Sequence, residues 1–319
     1  MTDPIYVELS AGDTTVRLNG QGGFSTDYLI VNDEGIEGWY STPDAKVEMT
    51  EMQTGDGSHA VAETDILYSA RTITLGWTAS ATTGDSRPTA LQGVHKLLAL
   101  AHKLVTIRVI DSTSDTYAVG YLQVETDSGI AYKYMSGTVT IVCADPRRYS
   151  TQAHSVQAYP PGDTEGGLYY MQPDDWAPEP LYPSDTTWPS DTTYPSLLWS
   201  GSLVYPLYYV GTAVKLQNIV TVTNAGTSPC YPTITITGPM DGGFSIEWSG
   251  GRVVYSEDVE GVPLVLESLT RTASISSLDR SRYLTERVFP VIQPGESETI
   301  TLRGTGTGWA TVEWNDTYM

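Results

Sequence analysis

Four aromatic residues, Trp176, Trp188, Tyr194 and Trp199, stand in a segment dense in proline and aspartate. Part of that segment repeats almost unchanged, PSDTTW at 183–188 and PSDTTY at 189–194. Aromatic rings rimmed by carboxylates and hydroxyls suit stacking on sugar rings, with Asp185 and Asp191 accepting hydrogen bonds from ligand hydroxyls. The spacing opposes a grip on one sugar: six residues of extended chain put Trp188 and Tyr194 on one side but roughly 20 Å apart. The same residues also make a stiff belt, in which proline straightens the backbone, S-D-T-T caps short turns, and each ring pins the strap to a β surface. We read the segment as such a belt, grown as a tolerated loop expansion, and keep host-glycan contact by the four rings as the alternative.

Other chemistry is sparse. His59, His95, His102 and His154 are scattered, and no H-E-x-x-H, G-x-S-x-G or EF-hand pattern occurs. Cys143 and Cys230 lack a second thiol or a histidine at ligand spacing, so both are expected as buried small hydrophobes. GTGTGW at 304–309 leads into a strand pattern and not a helix, which argues for a hairpin turn rather than a phosphate loop. Carboxylates are plentiful, but none can be placed across a scissile bond from sequence. The expectation is a protein that is not an enzyme and has no cofactor and no metal.

The chain has 319 residues, 17 basic and 38 acidic, for a net charge of -21, with no Lys or Arg between Arg148 and Lys215. That balance disfavours nucleic acid or an anionic membrane as a specific partner. The first residues, MTDPIYVELSAG, lack a basic n-region and a long apolar run, which leads us to expect a soluble protein made in a cytoplasm.

Whatever carries function is positioned by strands. Period-two alternation puts Ile73, Leu75 and Trp77 on one face, and likewise Val105, Ile107 and Val109; Val139 and Ile141; Val220 and Val222; Ile234 and Ile236; Ile300 and Leu302; Val312 and Trp314. Gly, Asp, Asn and Pro punctuate these runs as in sandwiches and barrels. One segment has helical spacing, with Leu91, Val94, Leu97, Leu98, Ala101 and Leu104 on one side, predicting a helix over 88–104. Alternation stops after VCADPRRYS at 142–150 and resumes near Lys215. We therefore expect a domain at 1–150, a Pro/aromatic belt at 151–214 and a second β domain at 215–319.

Several phrases in order resemble the distal tail proteins of long-tailed bacteriophages (siphoviruses), a minor tail protein family. They are ARTITLGW followed by a helix, VTIRVID, VTIVCADPRRYS, GGLYY, VTNAGTSPCYPTITITGP, SLDRSRYL and IQPGESETITLRG…GWATVEW. Ala70 stands where a Gly is common, and the stretch between RRYS and VTNAG is longer than the family needs. The resemblance implies a mainly β chain: an N-terminal tail-tube-like β-sandwich or split barrel with one packed helix, then an outward-facing galectin-like or carbohydrate-binding-module-like jelly-roll sandwich. It further implies a homo-hexameric ring, single or stacked, acting as the tail-tip or baseplate hub. Its partners would be the tail tube protein and a tail-tip protein such as a tail-associated fibre or lysin. DNA would pass through the lumen without specific binding, in a virion assembled in a bacterial host's cytoplasm.

A head-to-tail ring needs two different contact surfaces, for which the loop 50–65 and the hairpin around Asp127 are long enough. An acidic ring would keep passing DNA from sticking. Asp145, Pro146, Arg147 and Arg148 are expected to secure the domain junction. Arg280 and Arg282 beside Asp279 are expected as surface ion pairs, and Trp314 as core.

Overall fold

In a computed structural model, residues 6–20, 29–59, 61–62, 66–80, 87–127, 134–160, 167–168, 209–210 and 218–319 are described. The alternating runs become strands. The first half holds β1 (Tyr6–Ala11), β2 (Thr14–Asn19), β3 (Leu29–Glu37), β4 (Arg71–Ser80), α1 (Arg87–Ala99), β5 (Leu104–Ile110), β6 (Asp115–Thr126) and β7 (Tyr134–Cys143). The order β6-β5-β1-β2-β3-β4-β7, with β7 pairing back onto β6, closes a seven-stranded barrel. Its inner face carries the alternating residues named above, and Ile73, Leu75, Trp77, Val105 and Ile107 are fully buried. Among the described residues, β2 and β3 meet through one parallel pair, Asn19 with Ile30, the thinnest pairing around the barrel. Helix α1 packs on β2, β3 and β4, so Val94, Leu97 and Leu100 cover the seam where backbone pairing is thinnest.

The helix is shorter than its apolar spacing predicts. It ends at Ala99, and Leu104 begins β5 with its side chain 69% exposed. His102 takes a left-handed backbone (φ 63) and donates its N–H to Leu122 O, while Leu122 N–H bonds Lys103 O. Pairing with β6 therefore takes the backbone groups a longer helix would have used. Leu98 and Leu104 fit the helical period but lie outside the core.

The second half holds β8 (Arg148–Ala158), β9 (Gly167–Leu168), β10 (Tyr209–Val210), β11 (Ile219–Thr223), β12 (Thr233–Thr237), β13 (Asp241–Trp248), β14 (Gly251–Tyr255), β15 (Leu264–Glu267), β16 (Thr272–Ile275), β17 (Leu278–Asp279), β18 (Leu284–Arg287), β19 (Ser297–Thr305) and β20 (Trp309–Tyr318). One layer runs β17-β16-β15-β12-β20-β8 and the other β11-β19-β13-β14-β18. Ile234, Ile236, Leu264, Leu266 and Val312 from the first face Val222, Ile246, Val253, Ile300 and Leu302 from the second across one core. The residue expected to end the first domain, 150, falls inside β8. This strand pairs with β20 along most of its length and with β6 at Ser150 and Tyr149, joining barrel and sandwich into one sheet. Its sequence, RYSTQAHSVQA, shows little apolar alternation because strand partners on both sides, rather than a buried face, hold it.

GTGTGW is not a hairpin turn. β19 and β20 lie in different layers, and the turn crosses between them. Gly306 has φ 118, a Cβ there would lie 2.4 Å from Pro239 O, and Gly308 N–H bonds the same carbonyl. The N-x-G turn at Asn224 is a second fastener. Fully buried, Asn224 donates to Ser228 O (2.8 Å) and Ile292 O (3.2 Å) and accepts from Gly226 N–H and Thr317 N–H. Asn224→Ala strands these backbone groups and is expected to cost roughly 2–4 kcal/mol, read as a lower urea midpoint at unchanged m-value.

Candidate functional site

The turn from β7 to β8 places Asp145, Pro146, Arg147 and Arg148 between the two cores. Asp145 accepts from Arg147 twice, at N (3.1 Å) and Nη1 (3.2 Å), and from the Tyr149 hydroxyl. Burial, then that bond, raises the Tyr149 hydroxyl well above its ordinary range. The Arg147 guanidinium lies 4.8 Å from the Tyr231 ring, just before β12 of the sandwich. Arg148 turns the other way, over Trp39 (5.5 Å) and Tyr40 (5.9 Å), and donates to Met319 O at 3.0 Å. One arginine thus reaches the sandwich, and its neighbour reaches both the barrel and the C-terminal residue.

A residue absent from the sequence reading organises the barrel side. Arg71, 2% exposed, donates from Nε to Pro146 O (2.7 Å) and from Nη1 to the carbonyls of Gly38 (2.6 Å), Trp39 (3.1 Å) and Ser41 (2.7 Å). Burial, then the neighbouring Arg148 charge, lowers its pKa. The signal was present in the sequence, since Arg71 is in phase with Ile73, Leu75 and Trp77 and so shares their inward face. A charge there needs buried acceptors.

The carbonyls of Gly38, Trp39 and Ser41 that Arg71 gathers form the root of an arm, residues 44–69. Its described parts pair at Ala45 with Tyr68 and at Glu51 with Ser58, and Met49, Met52, Val61 and Leu67 are exposed on it. The described residues of the loop 50–65 belong to this arm. Of the expected hairpin near 127–129, Asp127 N–H bonds Ser136 O, and residues 128 and 129 lie outside the described residues.

Tyr40 also donates to Asp111 (2.8 Å), whose carboxylate accepts from the Thr113 and Ser114 backbone and side chains in the β5–β6 turn. Burial raises the Asp111 pKa, but the bonds from Thr113, Tyr40 and Ser114 outweigh it and hold the carboxyl far below its usual range. A depressed folded-state pKa contributes stability above the unfolded value, about 3.9, that is lost as pH falls toward the folded one. The melting temperature of wild type is therefore expected to exceed that of Asp111→Asn near pH 6, with the gap closing below about pH 4. A gap independent of pH would show that the charge is irrelevant.

A cleft of about 400 Å³ opens at the junction, lined by Tyr117, Tyr149, Arg147, Tyr231, Glu267 and Glu313 among others. Glu267 and Glu313 both register with Thr233, one strand to either side, so about 10 Å separates the two carboxylate-bearing positions. No group of three His, Cys, Asp or Glu suited to a metal occurs among the described residues. Cys143 and Cys230 are buried, and burial pushes both thiols up to about 11.

Trp176, Trp188, Tyr194 and Trp199 lie outside the described residues, between β9 and β10, which pair with each other. His95 and His102 are exposed. His154, read as scattered, has partners: it stacks on Trp314 at 5.2 Å and its Nε2 lies 3.5 Å from Asp316. Trp314 is buried against the sandwich core. Arg280 and Arg282 are not ion-paired with Asp279; that carboxylate accepts the Ser281 N–H, and both guanidiniums lie over Tyr283.

No protein-family model and no curated protein sequence matches the chain. Among solved structures, it is similar to the Dit protein of phage SPP1, described as a paradigm of the hub adsorption apparatus in phages infecting Gram-positive bacteria. The match has 12% identity and a TM-score of 0.57, over 98% of this chain and 99% of that one. The chain has the Dit fold. The baseplate of phage P2 in its activated conformation is also similar. With calcium it matches at 10% identity and a TM-score of 0.44 over 98% of both chains, and with strontium at the same values over 97% of both. The Dit fold spans barrel and sandwich together, so the junction held by Arg71, Arg147 and Arg148 lies within the shared architecture.

Proposed function

We propose that the chain is a non-enzymatic structural protein of a long-tailed phage, the hub at the distal end of its tail. In this reading it assembles as a homo-hexameric ring, joins the tail tube protein to a tail-tip fibre or lysin protein, and lets DNA pass. The observation that carries the proposal is the Dit fold over 98% of the chain. The junction at 145–148 then holds the outward sandwich at a set angle to the ring-forming barrel.

Surface chemistry supports a ring. Leu104, Tyr121 and Val142 stand abreast on β5, β6 and β7, on the barrel's outer face, 69%, 44% and 41% exposed. The arm carries exposed Met49, Met52 and Leu67 on a different part of the barrel. Two unlike apolar surfaces on one protomer are what a closed head-to-tail assembly uses. The net charge of -21 suits a channel through which a polyanion slides.

The test is light scattering with negative-stain imaging of the same peak. Rings at six or twelve times 34.7 kDa are expected. A monomer stable across concentrations would overturn the reading.

A further inference from the structure

In a chain of net charge -21, residues 270–290 hold four arginines, Arg271, Arg280, Arg282 and Arg287, and two carboxylates, Asp279 and Glu286. Glu286 is taken by Arg252, which bonds both of its oxygens (2.7 and 2.5 Å). Asp279 accepts from the Ser281 backbone. None of the four arginines forms an ion pair with a described carboxylate. Arg287 donates to neutral acceptors, Ser281 O (2.7 Å) and Leu284 O (3.3 Å), and meets Asp279 only through the field that helps lower that carboxyl's pKa, after the Ser281 bonds. Arg280 and Arg282 lie over the single Tyr283 ring, at 5.7 and 4.5 Å from its centroid, and the buried Arg280 Nε has no acceptor.

This placement is costly unless it is used. Two guanidiniums beside one ring repel each other, and Arg282 is further tethered by donating from Nη2 to the Tyr283 hydroxyl, which leaves its other N–H groups to meet an anion. Oriented forks match phosphate oxygens bidentately at small entropic loss. Arg271, beside β16, and Arg287, in β18, extend the positive ground beyond a single anion. The cluster follows the chain as it passes from β17, the edge strand of one layer, to β18, the edge strand of the other, at the opposite end of the sheet order from β8. At about 4.8 Å per strand, that end is roughly 24 Å from the junction. We propose that this edge of the sandwich is a binding site for a phosphate-bearing polyanion, with Arg271, Arg280 and Arg282 making the contacts and Arg287 fixing the turn. The site depends on the sandwich alone and stands whether or not the chain forms rings.

The experiment measures binding of end-labelled polyphosphate to the full chain at 50 and 200 mM salt, with orthophosphate and poly-L-glutamate as competitors. With three contacts, affinity is expected to fall by roughly twentyfold to fortyfold across that salt range. The Arg271→Gln/Arg282→Gln variant is expected to bind at least about tenfold more weakly at unchanged melting temperature. If the double variant is destabilised, Arg271→Gln alone decides, because Arg271 is exposed and makes no side-chain bond among the described residues. Arg282→Lys is expected to recover only part of the loss, since it restores charge but not the fork. Absence of binding at 50 mM salt, or equal binding by the variants, overturns the proposal. Equal competition by orthophosphate would reduce the site to a single-anion pocket, and tighter binding of poly-L-glutamate would transfer it to an acidic peptide; either result overturns the polymer assignment.

Discussion

Tyr121→Asp is expected to convert the proposed ring into monomers of 34.7 kDa with only a small loss of thermal stability, since Tyr121 also meets the His102 ring. The side chain is 44% exposed on the outer barrel face, so the isolated protomer tolerates a carboxylate there. In a head-to-tail contact the same carboxylate would be buried between Leu104 and Val142, its neighbours in register. Burying an unpaired charge costs several kcal/mol, enough to weaken each contact by roughly a thousandfold or more. Six such contacts fail together in a closed ring. Light scattering of variant and wild type at matched concentration measures the effect. Rings that survive would show that another face makes the contact, while a wild type already monomeric would remove the ring itself.

Arg71→Met is expected to cost about 3–5 kcal/mol and lower the melting temperature by roughly 10 °C. Methionine fills similar volume, so the loss comes from four backbone carbonyls left without their donor. Three belong to the root of the arm and one to Pro146, so the variant loosens arm and junction together. Proteolysis within 44–69 should accelerate alongside the thermal shift. Arg71→Lys should recover less than half of the loss, because one ammonium cannot replace a fork that spans Nε and Nη1. A change below 1 kcal/mol for Arg71→Met would mean that water replaces the guanidinium without penalty, and the fastening role would be wrong.

Both predictions rest on residues the sequence displays but does not explain. Period-two alternation determined by itself which side of each strand is buried, because burial of one sheet face is written locally, residue by residue. It placed Ile73 to Trp77, Val105 to Val109 and Ile234 to Ile236 in cores, and the same phase would have flagged Arg71 as an inward charge. The motif order pointed to a tail-hub fold, and the structural likeness agrees.

Partnership across long stretches of chain was decided only in three dimensions. Arg71 meets carbonyls 30 to 33 positions earlier and one 75 positions later. Strand β8 carries little alternation yet joins the two halves, since ladder hydrogen bonds do not depend on side-chain polarity. A helical period runs on into Leu104, yet α1 ends at Ala99 and the chain beyond it pairs through His102 N–H with Leu122 O, which no local pattern encodes. The glycines at 304–308 permit a turn of either kind; only the packing of Pro239 against Gly306 and Gly308 sends the chain to the opposite layer. Arginines beside an aspartate read as ion pairs until the fold turns that aspartate to the Ser281 N–H and leaves Arg280 and Arg282 over Tyr283. Local periodicity sets burial, whereas charge compensation and strand partners depend on which distant segments the fold brings within a few ångströms.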